Sequence, residues 1–243
     1  ECYNYQGSRL AYDSINITGT APVEAAGPGN LVISEFHYHP ADPSSDEIAA
    51  GHDDKDDFEF IELLNTGSKT INLAGVSFTD GIDYAFGSGD VLLDPGQRIL
   101  LVEDAAAFEY RYGSTAAAGI HAEWGGGLSN GGERLLLESA SSGIIADFTY
   151  DDSSPWPANA DGDGASLVLI DPFDVPDPSI AANWRASLVD GGKPAEDDSQ
   201  TYDEFIAQAG FSESELADPS VSGPEANADG DSFSNIVEYA LGS

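Results

Sequence analysis

The chain lacks methionine and has few basic residues. Eight Lys and Arg stand against 44 Asp and Glu in 243 residues, which gives a formal net charge of -36. Such a surface repels nucleic-acid phosphates and anionic lipid, and it attracts divalent cations and basic proteins. We therefore exclude nucleic acid as a partner. Because residue 1 is Glu rather than Met, we expect a mature product or a segment of a longer protein.

Two further shortages limit the structure. Cys2 is the single cysteine, so the fold must be stable without an internal disulfide. The thiol is either an inert group near the chain end or a link between molecules. No apolar run approaches the roughly 20 residues that a membrane helix needs, which argues against direct membrane insertion. Hydrophobic residues nevertheless make up 41% of the chain, enough for a globular core.

Short β-type runs follow one another from Leu31 onward. Examples are "LVISEFHYH", "FEFIELLN", "RILLVED", "ERLLLES" and "ASLVLID", separated by turn sequences such as "NTGS", "LDPGQ" and "SASSG". Many short strands with closely spaced turns predict an antiparallel β-sandwich or barrel. One helix interrupts them, "DAAAFEYRYG", for which Asp104 is the predicted N-cap and Gly113 the stop.

Composition divides the chain into three parts. Residues 1–27 contain one alternating strand, around Ile15 and Ile17, and an Ala/Pro/Gly spacer. Residues 28–195 form the β-rich part. Residues 196–243 contain no Lys or Arg, and their patterns "YDEFIAQAG", "SESELAD" and "SFSNIVEYALG" predict short helices. We expect this last part to be a separate acidic unit that caps the sandwich.

The β-rich part resembles the lamin tail domain of bacterial secreted and surface proteins. The resemblance rests on ordered stretches that include "NLVISEFHYHP", "DDFEFIELLNTGSKTINLAGVSFTDGIDYAFG", "LDPGQRILLVEDAAAFEYRYG", "LSNGGERLLLESASSGIIADFTYDD" and "ANWRASLVDGGKPA". It implies an immunoglobulin-like β-sandwich with a binding or assembly role and no catalytic machinery. It also implies a secreted, extracellular location at a bacterial cell surface. The acidic insertion "ADPSSDEIAAGHDDKDD" departs from the family, and we expect it to project as a loop.

The stretch "NADGDSFSNIVEYALG" near the chain end has the spacing of an EF-hand calcium loop. Calcium takes six to eight oxygen ligands, and loop positions 1, 3, 5, 7, 9 and 12 supply them before a helix. These positions fall on Asn227, Asp229, Asp231, Phe233, Asn235 and Glu238. The stretch is also similar to the EF-hand-like and thrombospondin-repeat-like loops of bacterial surface proteins. The alternative interpretation is a solvated Asp/Gly turn, because position 1 is Asn and position 6 is Ser232. The spacing favours calcium.

Other polar stretches give weaker signals. Asp161 and Asp163 in "ANADGDGASL" form a second, weaker ion site or, as we prefer, a tight turn before a strand. The run "HDDKDD" at residues 52–57 is a solvated loop or a cation site. His37 and His39 alternate along one strand, but no convincing third zinc ligand lies nearby in sequence.

The sequence predicts no enzyme. It contains no GxSxG elbow, P-loop, HExxH motif or GxGxxG before a helix. We expect a calcium-stabilised structural or adhesive protein that associates with itself, through its N-terminal strand, or with another surface protein. The alternative is an accessory module of a larger secreted enzyme that binds protein or carbohydrate. A carbohydrate site requires exposed tryptophans, whereas Trp124, Trp156 and Trp184 are more typical of core or loop-pinning residues.

Overall fold

The structure, a computed structural model, describes residues 22–198, 202, 206, 211–228 and 234–236. The first strands are β1 (Glu24–Ala25), β2 (Leu31–His37), β3 (Phe60–Asn65), β4 (Ile71–Asn72), β5 (Val76–Asp80), β6 (Tyr84–Ala85) and β7 (Leu92–Leu93). They are followed by β8 (Arg98–Val102), β9 (Ile120–Glu123), β10 (Arg134–Ser139), β11 (Gly143–Thr149), β12 (Leu167–Leu169) and β13 (Trp184–Ala186). The described α-helices are α1 (Ser45–Ala50), α2 (Ala105–Ala117), α3 (Glu213–Leu216) and α4 (Pro219–Ser222).

These strands form three sheets. The largest has the order β13-β12-β2-β3-β8-β9, the second has the order β11-β10-β5-β6, and a small third sheet has the order β1-β4-β7. Most neighbouring strands are antiparallel, whereas β1 with β4 and β8 with β9 are parallel pairs. The mainly β, immunoglobulin-like sandwich predicted from the sequence is confirmed.

The main core lies between the six-stranded and four-stranded sheets. Aromatic side chains from both sheets meet there, since the rings of Phe36 and Phe148 are 6.1 Å apart and those of Phe148 and Trp184 are 5.6 Å apart. Such offset and edge-to-face contacts add to the free energy of burial. Ala26, directly after β1, belongs to the same core. The predicted division at residue 28 stays a prediction.

The six-stranded sheet is also covered on its second face. Helix α2 packs Phe108 there against Phe60 of β3, with ring centroids 5.8 Å apart. Both β2 and β3 are consequently buried along their whole length. Asp104 caps α2 as predicted, accepting a hydrogen bond from the Ala107 N–H at 2.7 Å. Gly113 interrupts the helical backbone with a φ of 82°, but helical residues resume after it and continue to Ala117.

The acidic insertion does not project as a simple loop, contrary to the prediction. Ser44 and Glu47 form a capping box that starts α1, an arrangement that satisfies two free backbone donors. Glu47 then forms an ion pair with Arg111 of α2 at 2.7 Å. The Arg111 guanidinium also lies over the Phe58 ring, 3.3 Å from its centroid. These contacts hold the insertion against α2.

The described part of the acidic C-terminal segment contains two short helices, α3 and α4. Ser212 and Glu215 form a capping box for α3, and Asp218 caps α4 by accepting from the Ser220 N–H at 2.9 Å. Within the described parts of the chain, no helix combines the length and the hydropathy that crossing a membrane requires. The predicted strand around Ile15 and Ile17, and Cys2, lie outside the described residues.

Candidate functional site

The predicted calcium loop is only partly within the described residues. Asn227 and Asn235 lie within them, whereas Asp229, Asp231, Phe233 and Glu238 lie outside. Asn235 is buried, and its amide donates to the carbonyls of Val221 and Gly223 at 2.8 and 3.1 Å. Its Oδ1 accepts from the Ala228 N–H at 3.3 Å. Asn235 thus ties the start of the loop to α4, and calcium ligation by the loop stays a prediction.

Asp161 and Asp163 lie in a tight turn before β12. Gly162 and Gly164 of this turn both have positive φ angles, 79° and 106°, which glycine adopts without strain. The Asp161 carboxylate accepts from His39 Nδ1 at 2.7 Å, so it has a partner within the protein. Within the described ranges, no group of three or more His, Cys, Asp or Glu side chains is arranged to hold a metal ion. The geometry fits the turn interpretation.

The two alternating histidines have different surroundings. His37 is buried, its Nδ1 is 3.1 Å from the Tyr112 hydroxyl, and burial lowers its pKa to about 3. His39 is partly exposed, and its Nε2 contacts Lys55 Nζ at 2.5 Å. With Asp161 and Lys55 as its partners, His39 links the Asp-Gly turn to the acidic insertion. The pair therefore serves the fold rather than a shared zinc ion.

A buried polar cluster lies on the second face of the six-stranded sheet. Glu35 of β2 and Glu62 of β3 are direct cross-strand partners, and both are almost fully buried. Glu35 accepts from the Ser166 hydroxyl at 2.5 Å and from the Lys193 backbone N–H. Two acids side by side in a buried position are costly unless protons or hydrogen bonds compensate their charge.

Glu62 links three parts of the chain. Its carboxylate accepts from the Ser34 hydroxyl at 2.6 Å, from Arg98 Nε at 3.1 Å and from the Ala195 N–H at 2.8 Å. Burial raises the pKa of Glu62 to about 7 in spite of these donors. Burial, and secondly the charge of Glu62, raise the pKa of Glu35 well above its ordinary range. This Glu35–Glu62 pair can therefore hold a proton near neutral pH, and it fastens residues 187–198 onto the sheet.

The sequence analysis missed this pair. Glu35 and Glu62 each occupy the polar position in an alternating run, "VISEF" and "FIELL", where solvent exposure is the ordinary expectation. The signal that was available is the apolar character of a neighbour on the same face, Phe60. That signal does not say which later segment covers the face.

The three tryptophans are buried. Trp156 and Trp184 lie against each other with ring centroids 6.3 Å apart, and Trp184 donates its indole N–H to the Pro178 carbonyl at 2.9 Å. Trp124 belongs to the same core. None offers an exposed ring face on which a sugar could stack. The predicted core role of the tryptophans is therefore confirmed, and the carbohydrate-binding alternative has no tryptophan platform.

Comparison with known families agrees with this architecture. The model of the Lamin Tail Domain family matches residues 24–152, which is 129 of 243 residues and thus more than half of the chain. The chain belongs to the lamin tail domain family. The match includes β1, both sheets of the sandwich up to β11, the acidic insertion and α2. A search of curated proteins found no match.

Membership in the lamin tail domain family accounts for the sandwich and for its character as a structural or interaction module. The match ends before β12, β13 and residues 187–198. In this lamin tail domain protein, those later residues complete the six-stranded sheet and cover Glu35 and Glu62. The Glu35–Glu62 pair thus joins the part of the chain that the family model matches to the part that follows it.

Proposed function

We propose that this lamin tail domain protein is a non-catalytic structural or adhesive protein, secreted and held at a bacterial cell surface. Its sandwich associates with further copies, and calcium stabilises its acidic C-terminal segment. The observation that carries the proposal is an immunoglobulin-like sandwich with an exposed edge strand and no exposed tryptophan platform. Acidic residues are spread over the chain, both inside and outside the family match.

The surface charge supports cations and basic proteins as partners. Arg98, Arg111, Arg134 and Arg185 all form ion pairs with carboxylates inside the chain. These ion pairs neutralise half of the eight basic residues. Most of the 44 acids have no basic partner within the chain, because only eight Lys and Arg are present. A surface of this kind concentrates divalent ions and rejects polyanions. This supports a role in the extracellular medium, where calcium is abundant, rather than one on nucleic acid.

The edge of the four-stranded sheet supports self-association. Among the described strands, β11 pairs only with β10, so its outer edge has backbone groups available for a further strand. Ile144 on β11 is 51% exposed. Strand addition at such an edge joins chains through main-chain hydrogen bonds, and a head-to-tail arrangement builds a fibre. The alternating segment around Ile15 and Ile17 is the candidate donor.

Deleting residues 1–21 is expected to abolish self-association and leave the sandwich folded. The deletion stops before β1, because β1 pairs with β4 and Ala26 is part of the core. Analytical ultracentrifugation measures assembly, and circular dichroism checks the fold. As a second test, Ile144→Lys places a charge on the acceptor edge and should also reduce assembly. Multimers that persist in both variants, or a monomeric full chain, would contradict the proposal.

Calcium is expected to protect the C-terminal segment from proteolysis. Chelation should expose residues after 200 to cleavage while the sandwich stays intact, because the binding free energy of a metal stabilises the unit that it closes. Glu238→Gln should remove that protection, since it removes one charge and the bidentate ligand. Glu213→Gln, at an exposed acid in the same segment, is the control and should keep it. Equal cleavage of all three proteins with and without chelator would refute calcium binding there.

A further inference from the structure

Three buried side-chain oxygens without hydrogen-bond partners lie in two segments at one end of the sandwich. Among the described residues, these atoms are Asp56 Oδ1, Glu59 Oε1 and Asn130 Oδ1. Glu59 is 0% exposed. Buried polar atoms almost always have partners, and a buried carboxylate oxygen without one is costly. An amide oxygen and the oxygens of an ionised carboxylate are acceptors, so what these atoms lack is a donor, a proton or a cation.

The backbone brings the two segments together at this point. Asp56 begins the 3₁₀ turn Asp56–Phe58 before β3, Glu59 follows it, and Asn130 lies in the loop between β9 and β10. Glu59 uses its other oxygen, Oε2, to accept from the Leu128 N–H at 2.6 Å. A Cβ built on Gly127 would lie 3.6 Å from Glu59 Oε1 and 3.8 Å from Asp56 Cβ. Both acidic side chains therefore border the same point beside the loop.

Further acids surround this point. Burial, together with the charges of Asp56, Glu103 and Glu133, raises the pKa of Glu59 to about 9. Glu133 is held in place by the Ser129 N–H at 2.6 Å and by the Tyr150 hydroxyl at 3.2 Å. The carboxyl of Glu103, in turn, is in hydrogen-bonding contact with the carboxyl of Asp57.

The nearby basic residues are engaged elsewhere. Lys55 precedes the turn directly, but its ammonium group contacts His39 Nε2 at 2.5 Å. Arg134 follows Glu133 in the chain, but it forms a two-point ion pair with Asp147 at 2.7 and 2.8 Å. Neither Lys55 nor Arg134 therefore neutralises the acids around Glu59.

We propose that Asp56, Glu59 and Asn130 bind a divalent cation, and that calcium is the ion. Every donor is an oxygen, from two carboxylates and one amide, and hard cations prefer such donors. Calcium tolerates an irregular ligand set completed by water and backbone carbonyls, whereas magnesium demands a near-ideal octahedron. The ion joins the turn before β3 to the loop before β10. It therefore stabilises the sandwich itself, independently of the predicted loop at residues 227–238.

Calcium titration of the full chain tests this Asp56–Glu59–Asn130 site. Isothermal titration with CaCl₂ in about 0.15 M NaCl, which screens diffuse binding to exposed acids, compares the wild type with Glu59→Gln and Glu238→Gln. Each variant should lose one ion of a different site, and the calcium-induced rise in melting temperature should fall in Glu59→Gln. Terbium(III) luminescence reports on both proposed sites, because Tyr150 contacts the Glu133 carboxylate and Tyr239 directly follows Glu238 in the sequence. Part of that emission should be lost in Glu59→Gln and a different part in Glu238→Gln.

Two further variants make the result decisive. Asp56→Asn changes a partly exposed residue, so it preserves the fold if Glu59→Gln does not, and it should weaken the site about tenfold by removing one charge. Glu109→Gln, at an exposed acid of α2, should bind as the wild type does. If Asp56→Asn and Glu59→Gln match the wild type in stoichiometry, affinity and terbium emission, the site does not exist. Loss of binding in Glu238→Gln alone would support the C-terminal loop and overturn this second site.

Discussion

Replacing Gly192 with alanine is expected to destabilise the protein by about 3 kcal/mol or more. Gly192 has a φ of 77°, and a Cβ there would overlap Glu35 Oε1 and Ser166 Oγ and lie 2.9 Å from Glu35 Cδ. Neither neighbour can move aside freely, because Glu35 and Ser166 are both buried and hydrogen-bonded to each other. The chain must instead lift residues 187–198 from the sheet. Such a movement breaks the hydrogen bond from the Ala195 N–H to Glu62.

A matched control separates the steric clash from the backbone strain. Gly126 has a similar φ of 88°, and a Cβ built on it meets no atom within 4 Å. Gly126→Ala should therefore cost only the strain of a positive φ, about 1 kcal/mol. Urea unfolding measures both variants against the wild type. Equal losses at the two positions would show that residues 187–198 are not packed tightly on the Glu35–Glu62 pair.

Local signals in the sequence predicted the elements well. The N-cap at Asp104 was correct because a cap depends on a few adjacent residues. The run of short strands with Gly, Asn and Asp turns specified a sandwich, because strand patterns and turn residues are also local. The capping box of Ser44 and Glu47, by contrast, was present as the pattern S-x-x-E but was overlooked in an acidic stretch. The packing of that helix on Arg111 depends on a residue more than 60 positions away.

Non-local contacts determined what could not be predicted. Glu35 and Glu62 are buried because α2 and residues 187–198 cover their side of the sheet. Nothing in "VISEF" or "FIELL" specifies that cover. Asp56, Glu59 and Asn130 likewise come from segments about 70 residues apart that only the folded sandwich brings together. The calcium loop at residues 227–238 stays a prediction, and the sequence allows it because EF-hand ligands lie within 12 consecutive residues.

Replacing Glu35 with glutamine is expected to stabilise the protein above neutral pH and to make its stability less dependent on pH. The folded pKa values of Glu35 and Glu62 are raised, first by burial, so the folded chain binds more protons than the unfolded chain above about pH 4.5. The contribution of this pair to the free energy of unfolding is fully present at pH values below the pKa of the carboxyls in the unfolded chain. It is lost as pH rises through their pKa in the folded chain. The slope is about 1.4 kcal/mol per pH unit for each proton.

Glutamine keeps the shape of Glu35 and removes its charge. Its amide oxygen can still accept from Ser166 and from the Lys193 backbone N–H. We therefore expect Glu35→Gln to be about 2 kcal/mol more stable than the wild type at pH 8, with a difference that decreases toward pH 5. Asp198 also raises the pKa of Glu35, so Glu35→Gln relieves that repulsion as well.

The measurement is urea unfolding of the wild type and Glu35→Gln at pH values from about 6.5 to 8.5. The lower limit avoids most of the titration of His37, whose pKa is lowered by burial and whose effect on stability has the opposite sign. Other acids with raised pKa values, such as Glu103, titrate in both proteins and cancel in the difference. Glu109→Gln, at an exposed site, should show no pH-dependent difference. A constant difference in stability between Glu35→Gln and the wild type would mean that folding does not change the protonation of the Glu35–Glu62 pair in this pH range. A loss of stability at pH 8 would mean that the charge of Glu35 stabilises residues 187–198.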